Sequence, residues 1–202
     1  MTAAGTGGGE TGLAWTVCPS PVGELHAGCS AAGLARVSFG PPAAGRGPAG
    51  QAPEQARALA AEAGAQLAAY FAGRLRRFRL PVDWSWASQT QQRVLSALTE
   101  TAGYGQTLTY GQLARLAGLP GAGAAAPAPP GTAPGAHHPP ARVVGQVMGA
   151  NPCPVIVPCH RVVAGNGLGG YSGGTGVEVK RWLLTFEGAL PPTLDWDPAG
   201  PA

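Results

Sequence analysis

The stretch Asn151–Val163, NPCPVIVPCHRVV, is the most informative part of the chain. Its β-branched run Val155–Val157 predicts a buried strand, and Pro158 fixes the backbone immediately before Cys159. His160 follows directly, and a nearby base or imidazolium favours the thiolate form of a cysteine. One interpretation is therefore a nucleophilic thiol at a rigid strand end. The other is a buried cysteine beside a surface histidine, a pairing that is common by chance.

Helices are predicted upstream of this stretch. Ser88 or Thr90 could begin a helix that continues through Gln91–Thr101, because either side chain can cap its first turn. Tyr110–Ala117 and Ala141–Gly149 follow with the apolar spacing of short helices. Two short helices in succession suggest a helix-turn-helix. However, the more than twenty residues that separate them far exceed the usual turn of three or four.

The N-terminal part of the chain predicts a small α/β unit. Strands are expected at Leu13–Cys18, Glu24–Gly28 and Leu34–Phe39, with turns at the intervening Gly and Pro residues. Glu54–Phe71 is rich in Ala and Leu at helical spacing and predicts a helix. No catalytic constellation is present here, so the unit is interpreted as a scaffold.

Glycine and proline are concentrated in Met1–Gly12, Gly40–Pro53 and Leu119–Pro140. The 202 residues include 33 Gly and 21 Pro, and only 11% of them are charged. Segments of this kind bury little apolar surface and cannot offset the entropy lost on ordering. We therefore predict a flexible terminus at 1–12, an N-terminal α/β domain at 13–86, a C-terminal domain at 88–190 with an inserted loop at 119–140, and a tail at 191–202.

Charge and cysteine content limit the classes of function. A net charge of +3 is compatible with phosphate binding but is more often a solvated surface. No apolar run approaches a membrane span and no signal peptide is recognisable, so we expect a cytoplasmic protein without a membrane partner. In that reducing compartment a thiol can do chemistry. Cys18 and Cys29, with His26 between them, do not match a familiar zinc spacing and are interpreted as buried, inert thiols.

Several ordered motifs resemble one family. Pro158–Val162, preceded by Asn151-Pro152, resembles the active-site signature of the O6-alkylguanine-DNA alkyltransferases (methylated-DNA–protein-cysteine methyltransferases). The likeness covers about residues 13–190 without the inserted loop. It includes Ser20–Gly23, Leu67–Phe71, Gly73, Leu80-Pro81, Gly105–Ala114, Gly170–Gly174, Lys180–Leu184 and Glu187-Gly188.

The resemblance implies roles for five catalytic residues. Cys159 matches the alkyl acceptor, and His160 matches the base that acts on it through a bridging water. Glu187 matches the carboxylate that orients the imidazole, as in a hydrolase triad. Tyr110 matches the phenol that donates a proton to guanine N3, and Asn151 matches the residue that ties the helix-turn-helix to the active-site loop.

The resemblance also implies a DNA-binding set. Arg142 matches an intercalating arginine that fills the gap left by a flipped base, because a buried thiol cannot reach an atom inside the duplex. Met148 is expected to pack on the same helix. Val162, Tyr171 and Ser172 match positions of the pocket that holds the base. The implied partner is double-stranded DNA containing O6-alkylguanine, bound in the minor groove.

The family implies a ribonuclease-H-like N-terminal domain and a winged-helix-like C-terminal domain in a monomer. The implied function is DNA repair by irreversible, single-turnover alkyl transfer to Cys159 from O6 of guanine, with O4 of thymine as a further candidate. It needs no cofactor and no metal. Two alternatives belong to other classes. A non-catalytic lesion-binding relative would lack the acceptor cysteine, and an unrelated thiol hydrolase would not explain Tyr110, Asn151 and Arg142.

Overall fold

The computed structural model describes residues 12–42, 52–123, 139–193, 197, 199 and 200. Parts of the predicted terminus, inserted loop and tail therefore lie outside the described residues. The chain divides into two compact units, Met1–Trp86 and Ala87–Ala202. A small sheet domain is thus followed by a helical domain. Within the described ranges, none of the helices combines the length and apolar character required to cross a bilayer.

In its described residues, the first unit has a three-stranded antiparallel sheet and one long helix. Strands β1 (Ala14–Cys18), β2 (Leu25–Cys29) and β3 (Leu34–Phe39) are adjacent in chain order, and α1 spans Glu54–Phe71. The predictions of three strands and one helix are confirmed here, with ends that shift by one residue in β1 and β2. This arrangement needs only short connections, because consecutive antiparallel strands pair directly.

Close packing of α1 against β1 depends on small side chains. The helix buries Ala56, Ala60 and Ala63, which recur at helical spacing, and a larger pair, Leu67 and Tyr70, nearer its end. A Cβ added at Gly64 would lie 2.8 Å from the Thr16 hydroxyl oxygen. The helix backbone therefore approaches β1 more closely than any other residue type would permit at that position.

Over the residues that the structure describes, the second unit has four helices and a short parallel strand pair. The first three helices pack against one another, and the two strands join the segment before the second helix to the segment that contains the cysteine. Its elements are α2 (Gln89–Thr101), β4 (Leu108–Thr109), α3 (Tyr110–Leu116), α4 (Pro140–Gly149), β5 (Val162–Val163) and α5 (Val177–Phe186).

Capping boxes determine where α2 and α3 begin. The Ser88 hydroxyl accepts a hydrogen bond from the Gln91 amide, and the Gln91 side chain accepts one from the Ser88 amide. Thr109 and Gln112 repeat the arrangement at α3. Each box satisfies two amides that a helix start otherwise leaves unpaired. Of the two candidate caps for α2, Ser88 is therefore the one used.

The predicted strand at Val155–Val157 is wrong. These residues form a buried turn in which the Val157 amide donates to the Cys153 carbonyl at 2.8 Å. Val155 has a φ of 70°, in the left-handed region that β-branched residues rarely adopt. Prolines at 152, 154 and 158 have no amide to donate to a neighbouring strand. The apolar run reflects burial of the turn rather than sheet pairing.

Ser88→Ala should lower the free energy of unfolding by about 1 kcal/mol, because it removes the side-chain half of the capping box. Urea unfolding at neutral pH measures the effect. Thr90→Ala is the matched control, since Thr90 is exposed in the first turn of α2 and surface substitutions usually stay within about 0.5 kcal/mol. Equal losses in both variants would contradict the assignment of the cap.

Candidate active site

Cys159 begins a short 3-10 turn at the wall of a cavity. The turn comprises Cys159–Arg161, and all three of its side chains are buried. Cys159 itself is 5% exposed. The cavity has a volume of about 260 Å³ and is lined by Tyr110, Gly145, Met148, Gly149, Cys159, Gly170, Tyr171 and Ser172. A buried thiol thus faces a space that can hold a small ligand group.

A buried network of ionisable side chains lies behind the cysteine. Nε2 of His160 lies 3.0 Å from Oε1 of Glu187, the residue that ends α5. Arg161 donates to the same carboxylate from Nε and Nη2, both at 2.8 Å. Its remaining nitrogen, Nη1, donates to the Ala102 carbonyl at 2.7 Å. The arrangement fixes the imidazole by a carboxylate that is itself held in a two-pronged ion pair.

Burial and neighbouring charges determine the protonation states of Glu187 and His160. Burial would raise the pKa of Glu187, but hydrogen bonds and charges from His160 and Arg161 hold it well below its usual range. Burial lowers the pKa of His160, and Glu187 only partly opposes this. At neutral pH the carboxylate is therefore ionised and the imidazole neutral, with Nε2–H donated to Glu187. Nδ1 of His160 then carries the lone pair, and it has no hydrogen-bond partner within the described residues.

Asn151 stabilises the turn that precedes Cys159. Its Nδ2 donates to the Val157 carbonyl at 2.9 Å, and its Oδ1 accepts from the Cys153 amide at 3.1 Å. A hydrogen bond from the same side chain lowers the pKa of Cys159. The Asn151 side chain therefore both closes the turn and favours the thiolate form of Cys159.

Lys180 is a buried cation beside the site, and the sequence reasoning assigned it no role. Its Nζ donates to the Val162 carbonyl at 2.6 Å and to the Gly170 carbonyl at 3.1 Å. Burial lowers the pKa of Lys180 to about 8, although the negative charge of Cys159 in its thiolate form favours the ammonium. In turn, the ammonium lowers the pKa of Cys159. Lys180 thus connects Val162, which follows the 3-10 turn, to the loop that carries Tyr171.

Two sequence signals could have identified the missed residues. Lys180 is the only lysine among 13 basic residues, and it stands at helical spacing from the apolar Leu183 and Leu184. Such a position predicts a core face, where a lysine is rare unless it is paired. Arg161 stands inside the apolar run VIVPCHRVV, which likewise indicates a buried and therefore paired charge.

The thiol is neutral at rest. Burial raises the pKa of Cys159, and the opposing effects of Asn151, Lys180 and two backbone amides do not reverse the direction. A base is therefore needed to generate the thiolate, which is the nucleophilic form. His160 is the neutral base adjacent to it. This arrangement can perform nucleophilic substitution on an electrophile that enters the cavity.

The aromatic and polar residues of the cavity wall keep their protons. Burial raises the pKa of Tyr110, which is half-buried at the start of α3, and the negative charge of Cys159 in its thiolate form raises this pKa further. Burial also raises the pKa of Tyr171, whose hydroxyl is buried without a partner in the described residues. Met148 is buried, and the exposed Ser172 donates a weak hydrogen bond to the Gly149 carbonyl at 3.4 Å. Both phenols can therefore donate.

Two of the predicted DNA-binding residues do not line the cavity. Val162 is buried and faces Lys180 through its carbonyl. Arg142 is exposed in the first turn of α4. It precedes Gly145 by three residues and Gly149 by seven, so it shares the helix face that lines the cavity. Among the described residues, no three His, Cys, Asp or Glu side chains converge as a metal site.

Both units match domains of one family. Residues 89–189 match "6-O-methylguanine DNA methyltransferase, DNA binding domain" and residues 13–84 match the ribonuclease-like domain of the same family. A methylated-DNA–protein-cysteine methyltransferase of Mycolicibacterium paratuberculosis is 41% identical over 123 residues, which are 60% of this chain and 61% of that protein. A relative from Salmonella typhimurium is 40% identical over 62% of this chain and 61% of its own length. The chain thus spans about three fifths of these curated relatives.

A solved structure is also similar. The crystal structure of Mycobacterium tuberculosis OGT in complex with DNA superposes with a TM-score of 0.63 at 33% sequence identity. The match covers 86% of this chain and 92% of that one.

Glu187→Gln should lower the free energy of unfolding by about 3–5 kcal/mol at neutral pH, because it leaves the buried Arg161 guanidinium without its counter-ion. The depressed pKa also sets a pH dependence. The contribution of Glu187 is present above its ordinary pKa of 4.5 and is lost as pH falls toward the lower folded-state value. Urea unfolding at neutral and acidic pH measures both effects.

Glu178→Gln is the control for this prediction, because Glu178 is an exposed acid on the same helix. It should change stability by less than about 1 kcal/mol. The interpretation fails if Glu187→Gln is no more destabilising than this control, or if it leaves the acid sensitivity of the protein unchanged.

Proposed function

We propose that this chain, which belongs to the 6-O-methylguanine DNA methyltransferase family, repairs DNA by moving an alkyl group from O6 of guanine to Cys159. The transfer is direct and irreversible, and each molecule reacts once. The observation that carries the proposal is the buried Cys159 at a cavity wall, with the ion-paired chain of His160, Glu187 and Arg161 behind it.

The first step is activation of the thiol. His160 Nδ1 takes the Cys159 proton through a bridging water, and Glu187 stabilises the resulting imidazolium through Nε2–H. Lys180 and Asn151 stabilise the thiolate, since both lower the pKa of Cys159. The neutral resting imidazole is the form that this step requires. Because Glu187 is already ionised, no further proton has to move when the imidazolium forms.

The second step is substitution at the alkyl carbon. The thiolate sulfur forms a bond to that carbon while the carbon–O6 bond breaks, and its electron pair leaves with guanine. Tyr110 donates a proton to guanine N3, so that the departing base is neutral. Its raised pKa supports this role, because the phenol retains its proton until the base accepts it. The proton that His160 took from Cys159 returns through water to the Tyr110 phenolate, so that the net products are an S-alkyl Cys159 and guanine restored in DNA.

DNA binding is proposed for the helix pair α3 and α4. The target base must leave the stack to reach a buried thiol, and Arg142, on the cavity face of α4, fills the space that the base vacates. Met148, Tyr171 and Ser172 line the cavity and hold the base there. Val162 does not line the cavity, and its proposed role is to support the cavity wall through the hydrogen bond that Lys180 donates to its carbonyl.

The finer fold and partner assignments are also proposals. The N-terminal sheet domain is ribonuclease-H-like, and the description of its matching family domain as ribonuclease-like supports this. The C-terminal domain is winged-helix-like, with α3 and α4 as its helix-turn-helix. Their connection, 124–138, lies outside the described residues. Double-stranded DNA containing O6-alkylguanine is the proposed partner; a monomeric state and a cytoplasmic location stay predictions.

Two rival functions predict different products. A non-catalytic lesion-binding protein has no use for a buried cysteine with a base and carboxylate behind it. A thiol hydrolase would release its product by attack of water on an acyl-enzyme. A thioether offers water no activated carbonyl to attack. The fate of the alkyl group therefore separates the three functions.

Intact-mass spectrometry after incubation with an O6-methylguanine duplex should show one added methyl group per protein molecule and then no further reaction. Cys159→Ser should abolish the transfer, because an alcohol is far less ionised than a thiol at neutral pH. Cys153→Ala, which removes another buried thiol, is the matched control and should still take up one equivalent. Transfer by Cys159→Ser above a protein-free background excludes Cys159 as acceptor, and turnover beyond one equivalent excludes a single-use mechanism.

Arg142→Ala should slow repair of duplex DNA by about 10- to 100-fold and change reaction with free O6-benzylguanine by roughly twofold or less. The physical reason is that a flipped base in the duplex costs a few kcal/mol of stacking, which a free base never loses. Single-turnover rates on the two substrates measure the difference. Arg181→Ala, an exposed arginine on α5, is the control. Equal losses on both substrates would mean that Arg142 supports the fold instead.

A further inference from the structure

A dense cluster of arginines follows helix α1 in the N-terminal domain. Arg74, Arg76, Arg77 and Arg79 occupy four of six consecutive positions, in a chain with 13 basic residues in all. No acidic residue occurs between Phe71 and Val82. We call Arg74–Arg79 the basic segment. It plays no part in the site described above, which belongs entirely to the C-terminal domain.

Backbone contacts fix the basic segment to its own helix. The amides of Arg74 and Leu75 donate to the Ala69 carbonyl at 2.9 and 3.1 Å. Five residues after Arg74, the Arg79 amide donates to the side chain of the buried Gln66 at 2.8 Å. The segment is therefore held at both ends by α1.

An aromatic contact holds the middle of the segment. Phe78 packs on the fully buried Tyr70, with ring centroids 5.2 Å apart. The aromatic side chain of the segment thus packs against α1, while all four arginine side chains are exposed. An anchored segment presents its charges without having to order its backbone on binding, which reduces the entropic cost of a complex.

Three of the four positive charges of the segment are not neutralised by an acid within the described part of the domain. Arg74, Arg77 and Arg79 form no ion pair with an acid of the described residues. Concentrated charge of one sign is unfavourable for the free protein and raises the local concentration of counter-ions. A polyanion that replaces those counter-ions gains the free energy of their release.

We propose that the basic segment is a second DNA-contact surface, which binds the phosphate backbone of duplex DNA without regard to sequence. The choice of DNA as the polyanion rests on the proposed function. Six residues span at most about 20 Å, and phosphates on one strand of B-DNA recur about every 3.4 Å along the axis. Several phosphates therefore lie within reach, and the planar guanidinium forms two parallel hydrogen bonds to one phosphate.

The surface serves the search for damage rather than the reaction. A repair protein meets undamaged DNA far more often than a lesion, and phosphate contacts supply most sequence-independent affinity. Contacts made by the scaffold domain add to this affinity without occupying the cavity. The inference therefore predicts a change in binding to any duplex and no change in the chemistry at Cys159.

The test compares two double variants that remove the same net charge from the same domain. Arg74→Gln with Arg77→Gln alters the basic segment. Arg36→Gln with Arg57→Gln is the control, because both residues are exposed and Arg57 precedes Arg74 by 17 positions, mostly along α1. Fluorescence anisotropy with an undamaged 20-base-pair duplex gives Kd between about 50 and 200 mM salt, a range over which affinity that comes from phosphate contacts falls steeply.

The segment variant should reduce the slope of log Kd against log salt by about 0.9 for each phosphate that is no longer neutralised, so by about 1.8 for two arginines. The control should leave the slope unchanged. Arg74→Lys with Arg77→Lys should restore most of it, since the charge is retained. Thermal melting checks that the variants remain folded. The inference is wrong if the segment variant and the control variant give the same slope of log Kd against log salt. That result would also be obtained if the arginines bound an acidic protein rather than DNA.

A separate readout keeps this inference apart from the proposed function. Reaction with free O6-benzylguanine should be the same in wild type and in the segment variant. If wild type fails to alkylate Cys159 while the salt slopes still differ, the proposed function is wrong and the DNA-contact surface stands. If wild type reacts while the slopes agree, only the DNA-contact surface is wrong.

Discussion

The ion pair between Glu187 and Arg161 is the interaction on which the C-terminal domain depends. A carboxylate in a protein interior is costly unless it is paired and hydrogen-bonded, and Glu187 receives both guanidinium hydrogen bonds and the His160 imidazole. Arg161 also binds the Ala102 carbonyl at the end of α2. One carboxylate thus joins the end of α5, the end of α2 and the cysteine turn. The orientation of His160 is a consequence of this pairing, so the fold and the proposed base have a common physical origin.

Burial of the nucleophile and its activation have opposite requirements. A thiolate is reactive toward oxidants as well as toward substrate, and burial raises the pKa of Cys159 so that the resting group is a thiol. Lys180 and Asn151 supply opposing stabilisation that needs no rearrangement when the thiolate forms. Lysine suits this place better than arginine, because its compact ammonium carries three rotatable donors and binds two separate carbonyls here. In the proposed single-use reaction, a neutral resting thiol is protected from oxidants until substrate arrives.

The sequence predicted the local elements of this fold better than the contacts of the site. The strand β3 and the helix α1 were predicted with the bounds that the structure has, because alternation, helical spacing and flanking glycine act over a few residues. The roles proposed for Cys159 and His160 came from a motif of consecutive residues. Arg161 and Lys180 were missed, since their partners are 26 and 18 residues away in the chain. No local pattern encodes a pairing over such distances, and only their charge within apolar runs indicated it.

The incorrect strand at Val155–Val157 shows how tertiary structure overrides a local preference. β-Branched residues favour strands because their side chains pack well on a sheet, but a strand also needs amides to donate to a neighbour, and prolines at 152, 154 and 158 remove three of them. Asn151 replaces part of the missing sheet by bonding to both ends of the turn. In a strand, alternate side chains would point to opposite faces. The turn instead buries Val155, Ile156 and Val157 together, which leaves Cys159 as the residue of this segment that reaches the cavity.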